Sequence, residues 1–250
     1  MGLYRTGGIV LKTRKLGEAD KIVVLYSPNS GRVEGVAKGA RKATSKRTGC
    51  FEPFTILDLV LHEGRSLDTI TQVSVVESNR AVREELNRVV YGSAMLDLVD
   101  QVAMDNLADE GIYRLLLLAL EILKGMDEGF LSLVAAFDLA LMGHAGYSVE
   151  FDICASCGRE LGDKGHFGYD SGGFLCDNCR EFEPGARAVR HLGRIRELAV
   201  AFCLAPAESA ALFAASDPKV EREVLDAVEE YVKSYLQVRL KSRELIRPKR

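Results

Sequence analysis

Two Cys-x2-Cys pairs, Cys154 with Cys157 and Cys176 with Cys179, stand 18 residues apart in a chain of 250. No other feature constrains the fold as much. Each pair forms a tight knuckle, and two knuckles together offer one cation four thiolates in a tetrahedron. Zinc suits this set best, with iron on the same ligands as the alternative. Four protein ligands leave no open coordination position, so the ion is structural and not hydrolytic. Gly158, Gly162, Gly165, Gly168, Gly172 and Gly173 supply turns for a small hairpin between the pairs, and His166 lies there as a competing ligand.

Catalytic readings fail on their own requirements. A zinc nucleobase deaminase needs His-x-Glu upstream and a proline before its Cys-x-x-Cys pair. Here Leu175 precedes Cys176, and Gly64, Gly146, Gly168 and Gly193 stand two residues after the four histidines. No Gly-Lys dipeptide occurs, which excludes a Walker A loop, and Gly31, Gly35 and Gly39 are spaced by four, unlike a dinucleotide fingerprint. Asp170-Ser171-Gly172-Gly173 falls between the knuckles, where a turn is expected rather than a nucleophile.

The first 80 residues have the period of strands. Gly8 to Arg14 is expected to set Ile9, Leu11 and Thr13 on one face and Lys12 and Arg14 on the other. Further strands are expected over 21–26, 32–37, 54–62 and 67–76, with turns at Asn29-Ser30-Gly31 and Glu63-Gly64-Arg65-Ser66. Five short strands with one long interruption after the third suit a small closed barrel, either an OB-fold or an SH3-like barrel. After residue 81 the spacing becomes helical over 89–104, 111–125 and 130–146, with Gly125 and Gly146 as stops. A final amphipathic helix is expected from the Asp217 cap and Pro218 to about Arg239.

Charge is unevenly divided along the chain. Residues 1–80 carry net +5, residues 81–150 net −8 and residues 151–250 net zero. The interruption 38–47 holds five cations and no anion. Such asymmetry points to the head as the part that meets a polyanion, against the alternative of a solvated surface loop, and Lys12, Arg14, Lys38, Arg41, Lys42, Lys46 and Arg47 are the expected nucleic-acid contacts. The head has only Tyr4, Tyr26, Phe51 and Phe54 for base stacking and the chain has no Trp, so phosphate contacts must dominate. The run 239–250, with six cations and one anion, either frays or extends this basic surface.

Charged residues interrupt positions 1–21, so no secretory signal is expected, and the most apolar run, 112–123, is too short to span a bilayer. A cytoplasmic location is expected, where thiols stay reduced.

Several motifs now stand in order: Val10-Leu11-Lys12-x-Arg14-x-Leu16-Gly17-Glu18-x-Asp20, Gly31-x-Val33 leading into Ala37-Lys38-Gly39-Ala40-Arg41, Glu52-Pro53-Phe54, Cys154-x2-Cys157-Gly158, and Gly172-Gly173-x-Leu175-Cys176-x2-Cys179. Together they resemble RecO, the family of bacterial DNA repair and recombination mediators of the RecF pathway. The resemblance implies a multi-domain α+β protein. Its parts would be an N-terminal OB-fold over 1–80, a helical body over 81–150 and 184–250, and an inserted zinc module over 151–183 with one structural zinc per chain. It also implies a non-enzymatic, nucleoid-associated protein that binds single- and double-stranded DNA, anneals complementary strands and has no membrane contact. With RecR it would help RecA load on DNA coated by single-strand-binding protein, whose acidic C-terminal tail it would contact. The competing reading is a zinc-ribbon adaptor whose basic loop binds an acidic protein.

Overall fold

The structure is a computed structural model that describes residues 2–42, 49–105, 107–204, 206–214, 217–237 and 240–246. It forms two compact units, Met1–Lys124 with Leu240–Arg250, and Gly125–Arg239.

The first unit opens with five strands, β1 (Leu3–Leu16), β2 (Asp20–Ser27), β3 (Gly31–Ala37), β4 (Ile56–His62) and β5 (Asp68–Glu77). They close into a barrel in the order β1-β2-β3-β5-β4. All pairings are antiparallel except β3 with β5, where Gly35 faces Asp68 and Val36 faces Thr69. This is the connectivity of an OB-fold.

β1 is longer than its apolar pattern suggests because it serves two neighbours. Leu3 to Ile9 pair with β4, and Ile9 to Leu16 pair with β2. The change of partner falls at Ile9, and at the adjacent Gly8 a Cβ would stand 2.4 Å from Leu25 Cδ1 and 2.6 Å from the Tyr26 carbonyl oxygen. Simple alternation along β1 does not hold. The register slips between Val10 and Lys12, leaving Leu11 as a bulge. Val10 and Thr13 therefore lie opposite the inward-facing Leu25 and Val23, while Lys12 lies opposite Val24. Ile9, Val10 and Leu11 are all buried, the outer ones because helices cover this side of the barrel.

Val10, Val23, Leu25, Val33, Leu57, Leu59, Leu61 and Ile70 fill the interior, joined by Ala40 and Phe51 from the long β3–β4 connection. Three helices follow in this unit, α1 (Arg80–Arg83), α2 (Leu86–Val102) and α3 (Glu110–Gly125). α2 starts three residues before the apolar spacing suggests, because the Glu85 carboxylate caps it by accepting from the Arg88 amide at 2.8 Å.

The second unit is built on α4 (Phe130–His144), buried along most of its length. Three short strands, β6 (Lys164–Gly168), β7 (Gly173–Leu175) and β8 (Arg187–Arg190), form a sheet in the order β7-β6-β8, with α5 (Asp177–Arg180) between β7 and β8. α6 (Leu192–Ala199), a 3-10 turn (Ala201–Cys203), α7 (Pro206–Ala214) and α8 (Pro218–Leu236) complete it. α8 begins as expected, with the Asp217 carboxylate accepting from the Lys219 amide at 2.8 Å. It stops at Leu236, short of the expected Arg239, because Gln237 turns left-handed at φ 50°. Among the described residues no helix is long and apolar enough to cross a membrane.

Of the basic run 239–250, residues 240–246 are described, and Arg239 and 247–250 lie outside the described residues. α9 (Arg243–Ile246) belongs to the first unit, Arg243 is buried, and Ser242 donates through its amide and hydroxyl to Asp97 at 3.2 and 2.7 Å.

The close approach at the change of partner makes Gly8 critical. Gly8→Ala is expected to lower stability by about 1–3 kcal/mol, the usual range for overpacking. Gly49→Ala, whose Cβ would meet nothing within 4 Å, should stay within about 0.5 kcal/mol of the parent in urea titration.

Candidate nucleic-acid interface and metal centre

Strand register gathers cations at one end of the barrel. Lys15 lies opposite Lys21, which lies opposite Ala37 at the end of β3. The basic connection then folds back on the β1–β2 turn. The Gly39 amide donates to Asp20 Oδ1 at 2.7 Å, the Arg41 amide to the Ala19 carbonyl at 2.9 Å, and Arg41 Nη1 to the Gly17 carbonyl at 2.8 Å. Gly39 makes the required turn at φ +67°. Lys38, Arg41 and Lys42 are thereby fixed at the end that already carries Arg14, Lys15 and Lys21, with Lys15, Lys38 and Lys42 exposed. Lys46 and Arg47 lie outside the described residues.

Lys12 and Arg14 occupy a different electrostatic setting. Lys12 donates to Asp100 of α2, whose side chain is 3% exposed, and Arg32 Nε reaches the other oxygen of that carboxylate at 3.0 Å. Arg32 also donates to Glu34, and to Asp105 at 2.7 Å, while Arg14 Nη2 donates to Glu34 at 2.7 Å. Burial works against the charge of Arg32, but Asp105, Asp100 and Glu34 outweigh it and hold the guanidinium more firmly protonated than usual. The sequence reading missed Arg32. The signal was there, since Arg32 and Glu34 alternate with the inward-facing Val33 on the same strand.

Stacking has little to work with. Tyr26, Phe51 and Phe54 are buried, and the half-buried Tyr4 donates its hydroxyl to Asp68. This end of the barrel therefore offers positive charge and hardly any exposed aromatic face.

In the second unit the sulfur atoms of Cys154, Cys157, Cys176 and Cys179 all lie within 4.8 Å of one another, and His166 is not part of the group. Its Nε2 is 2.8 Å from Asp177 Oδ1 instead. Cys157 and Cys176 Sγ are 3.8 Å apart, the edge of a tetrahedron whose metal–sulfur bonds are about 2.3 Å. The Cys176 amide is 3.4 Å from Cys154 Sγ, and Gly158 closes the first knuckle at φ +69°. Burial raises the Cys154 thiol, yet the amides of Cys176, Cys157 and Ser156 outweigh it and bring it down to about 6. The Ser156 hydroxyl lowers the Cys179 thiol, but the neighbouring sulfurs and burial more than offset this and push it up to about 12. Four sulfurs this close cannot all ionise unless a cation compensates them, so the donor set fits a tetrahedral thiolate metal.

The sheet beside the sulfurs is tied to the helices of its own unit. Tyr235 donates to the Gly172 carbonyl at 2.8 Å, Tyr231 donates to the Tyr147 carbonyl, and Phe167 packs edge-on against Tyr231. Arg196 Nη2 bonds the carbonyls of Phe151 and Leu161 at 2.7 and 2.9 Å. Ser171 donates to Glu183 at 2.7 Å, so Asp170-Ser171-Gly172-Gly173 is a turn held by a buried carboxylate.

These features define a class of protein, in which an OB-fold barrel with a basic end is joined to a helical unit bearing a four-cysteine module. The family model described as recombination protein O N terminal matches residues 1–79, and recombination protein O C terminal matches residues 83–244. The DNA repair protein RecO of Rubrobacter xylanophilus is 39% identical over 203 residues, covering 80% of this chain and 82% of the relative. That of Symbiobacterium thermophilum is 36% identical over 189 residues, 74% and 75% of the two chains. The chain belongs to the RecO family of DNA repair proteins that act in recombination.

If the cation supplies at least about 4 kcal/mol, well below the 10–16 kcal/mol typical of zinc-finger peptides, its loss lowers the unfolding midpoint by about 8–16 °C at 2–4 °C per kcal/mol. Calorimetry of Cys157→Ser, or of the chelated protein, should show this fall. An unchanged midpoint contradicts a structural metal.

Proposed function

We propose that this chain is a non-enzymatic DNA-binding and strand-annealing mediator of recombination. The observation that carries the reading is the convergence of Lys15, Lys38, Arg41 and Lys42 on one end of a closed barrel. Lys46 and Arg47 belong to the same connection in sequence. Two complementary strands repel through their phosphates. A surface that neutralises several phosphates lowers that barrier while leaving base edges open to pair, and it needs no fuel. Lys12 and Arg14 enter this reading only together with the carboxylates that hold them.

The chemistry of the four sulfurs favours zinc, which would brace the second unit. The reading extends to a cytoplasmic, nucleoid-associated location, cooperation with RecR and loading of RecA on coated DNA, and the resemblance to the RecO family supports it. Contact with the acidic tail of single-strand-binding protein requires a cation beside an apolar groove. A groove of about 350 Å³ in the first unit, lined by Ile56, Leu117, Leu118 and Leu120 with Arg114 and Lys124 at its rim, supports that contact. A tail carboxylate there would compete with Glu121, which is 2.9 Å from Lys124 Nζ.

If five cations each neutralise one phosphate, the log–log salt slope is roughly −4.5 on duplex and −3.5 on single strands. Changing Lys38, Arg41, Lys42, Lys46 and Arg47 to Ala should bring both slopes close to zero and abolish annealing of complementary oligonucleotides. Affinity and annealing at parental levels in that variant sink the proposal. Weak, salt-insensitive binding by the parent favours the protein-interaction adaptor.

A further inference from the structure

We propose that Arg14 and Arg32 form a phosphodiester subsite on the outer face of the barrel, and that the Glu34 carboxylate occupies it as an internal competitor. The inference rests on the DNA-binding reading and adds an affinity-determining residue to it.

One oxygen, Glu34 Oε1, accepts from Arg14 Nη2 at 2.7 Å and from Arg32 Nη2. Two guanidinium groups on a single anionic oxygen are how arginines hold a phosphate oxygen. The subsite is preformed, because Asp100 and Asp105 orient Arg32 independently of Glu34, at 3.0 and 2.7 Å. It is approached through Arg14, whose side chain is 51% exposed, and past Asp105 at 69%, while Arg32 and Glu34 themselves are 16% and 19% exposed. The charges explain why it is closed. Lys12, Arg14 and Arg32 face Asp100, Asp105 and Glu34, so the cluster is neutral as it stands and has no net attraction for a polyanion. Of the three carboxylates, Asp100 of α2 is buried and Asp105 pairs with Arg32 alone among the described residues, whereas Glu34 bridges both arginines. Removing its charge alone leaves Arg32 held by Asp100 and Asp105, releases Arg14 to turn to another anion, and gives the cluster a net positive surplus. The outward row of β3 then runs from Arg32 through position 34 towards Lys38, the exposed cation just beyond the strand.

The test is Glu34→Gln, which keeps an oxygen acceptor and nearly the same shape, with Glu34→Thr as a second variant should the first fold poorly. Binding of a labelled single-stranded oligonucleotide is measured at several salt concentrations. Either variant should bind about 3- to 10-fold more tightly than the parent at 50 mM salt, with a log–log slope steeper by about 0.7 for each additional phosphate held. Adding Arg14→Ala should remove most of that gain, so that Glu34→Gln changes affinity less in the Arg14→Ala background than in the parent, a non-additivity that marks competition at one site. Glu110→Gln, which removes another exposed carboxylate paired with an arginine, controls for overall charge and should leave the slope unchanged. A Glu34 variant with the parental slope, or one matched by Glu110→Gln, overturns the inference. A parent that does not bind the oligonucleotide overturns the DNA-binding reading instead.

Discussion

β1 pairs with two strands in succession, and the barrel exists only because it does. Seven residues pair with β4 and seven with β2, Ile9 being common to both sets. The strand must bend sharply at that point, which requires glycine where the backbones press together and a bulge where the register slips. The bulge has an electrostatic consequence. It moves Lys12 into line with Val24 on the outer face, and Arg14 follows on the same face two residues on. Closure also brings the ends of β1 and β3 and the start of β2 together, so a basic connection leaving β3 lands on the β1–β2 turn.

The acidic middle of the chain has an internal role that its net charge of −8 conceals. Asp97 accepts from Ser242, Asp100 from Lys12 and Arg32, and Asp105 from Arg32, while the Asp109 backbone exchanges hydrogen bonds with the Tyr26 hydroxyl. These aspartates hold the helices and the tail of the first unit against the barrel. Asp100 is the buried charge in this set, and losing both Lys12 and Arg32 would leave it uncompensated. The cations of the head thus separate into an inner set that supports the fold and an outer set, near the β3–β4 connection, exposed to solvent.

Much of this was legible in the residues. Alternation exposed all five strands, and the interval between Ala37 and Phe54 marked the one long connection. Cysteine spacing identified the sulfur cluster without error, since four thiols at that spacing have few other uses. Lys12 and Arg14 share a face opposite Thr13 as expected, but Ile9 and Leu11 do not join Thr13, because the bulge after Val10 has no local signature in the apolar run Ile9-Val10-Leu11. The partners of Lys12 and Arg32 were hidden for another reason, as Asp100 and Asp105 lie about 70 to 90 positions away along the chain. Ion pairs at that separation arise from tertiary closure and leave no trace in local pattern. The stop of α8 at Gln237 was missed because a left-handed glutamine is uncommon and nothing in the apolar spacing announces it.

The central claim is that polynucleotide phosphate is met at the basic end of the barrel. Lysine acetylation read by mass spectrometry, with and without a single-stranded oligonucleotide, addresses it residue by residue. The account predicts strong protection of Lys15, Lys38 and Lys42, and none at Lys164 or Lys219, which are exposed on the second unit. Protection confined to Lys164 and Lys219, with the barrel lysines still reactive, contradicts it.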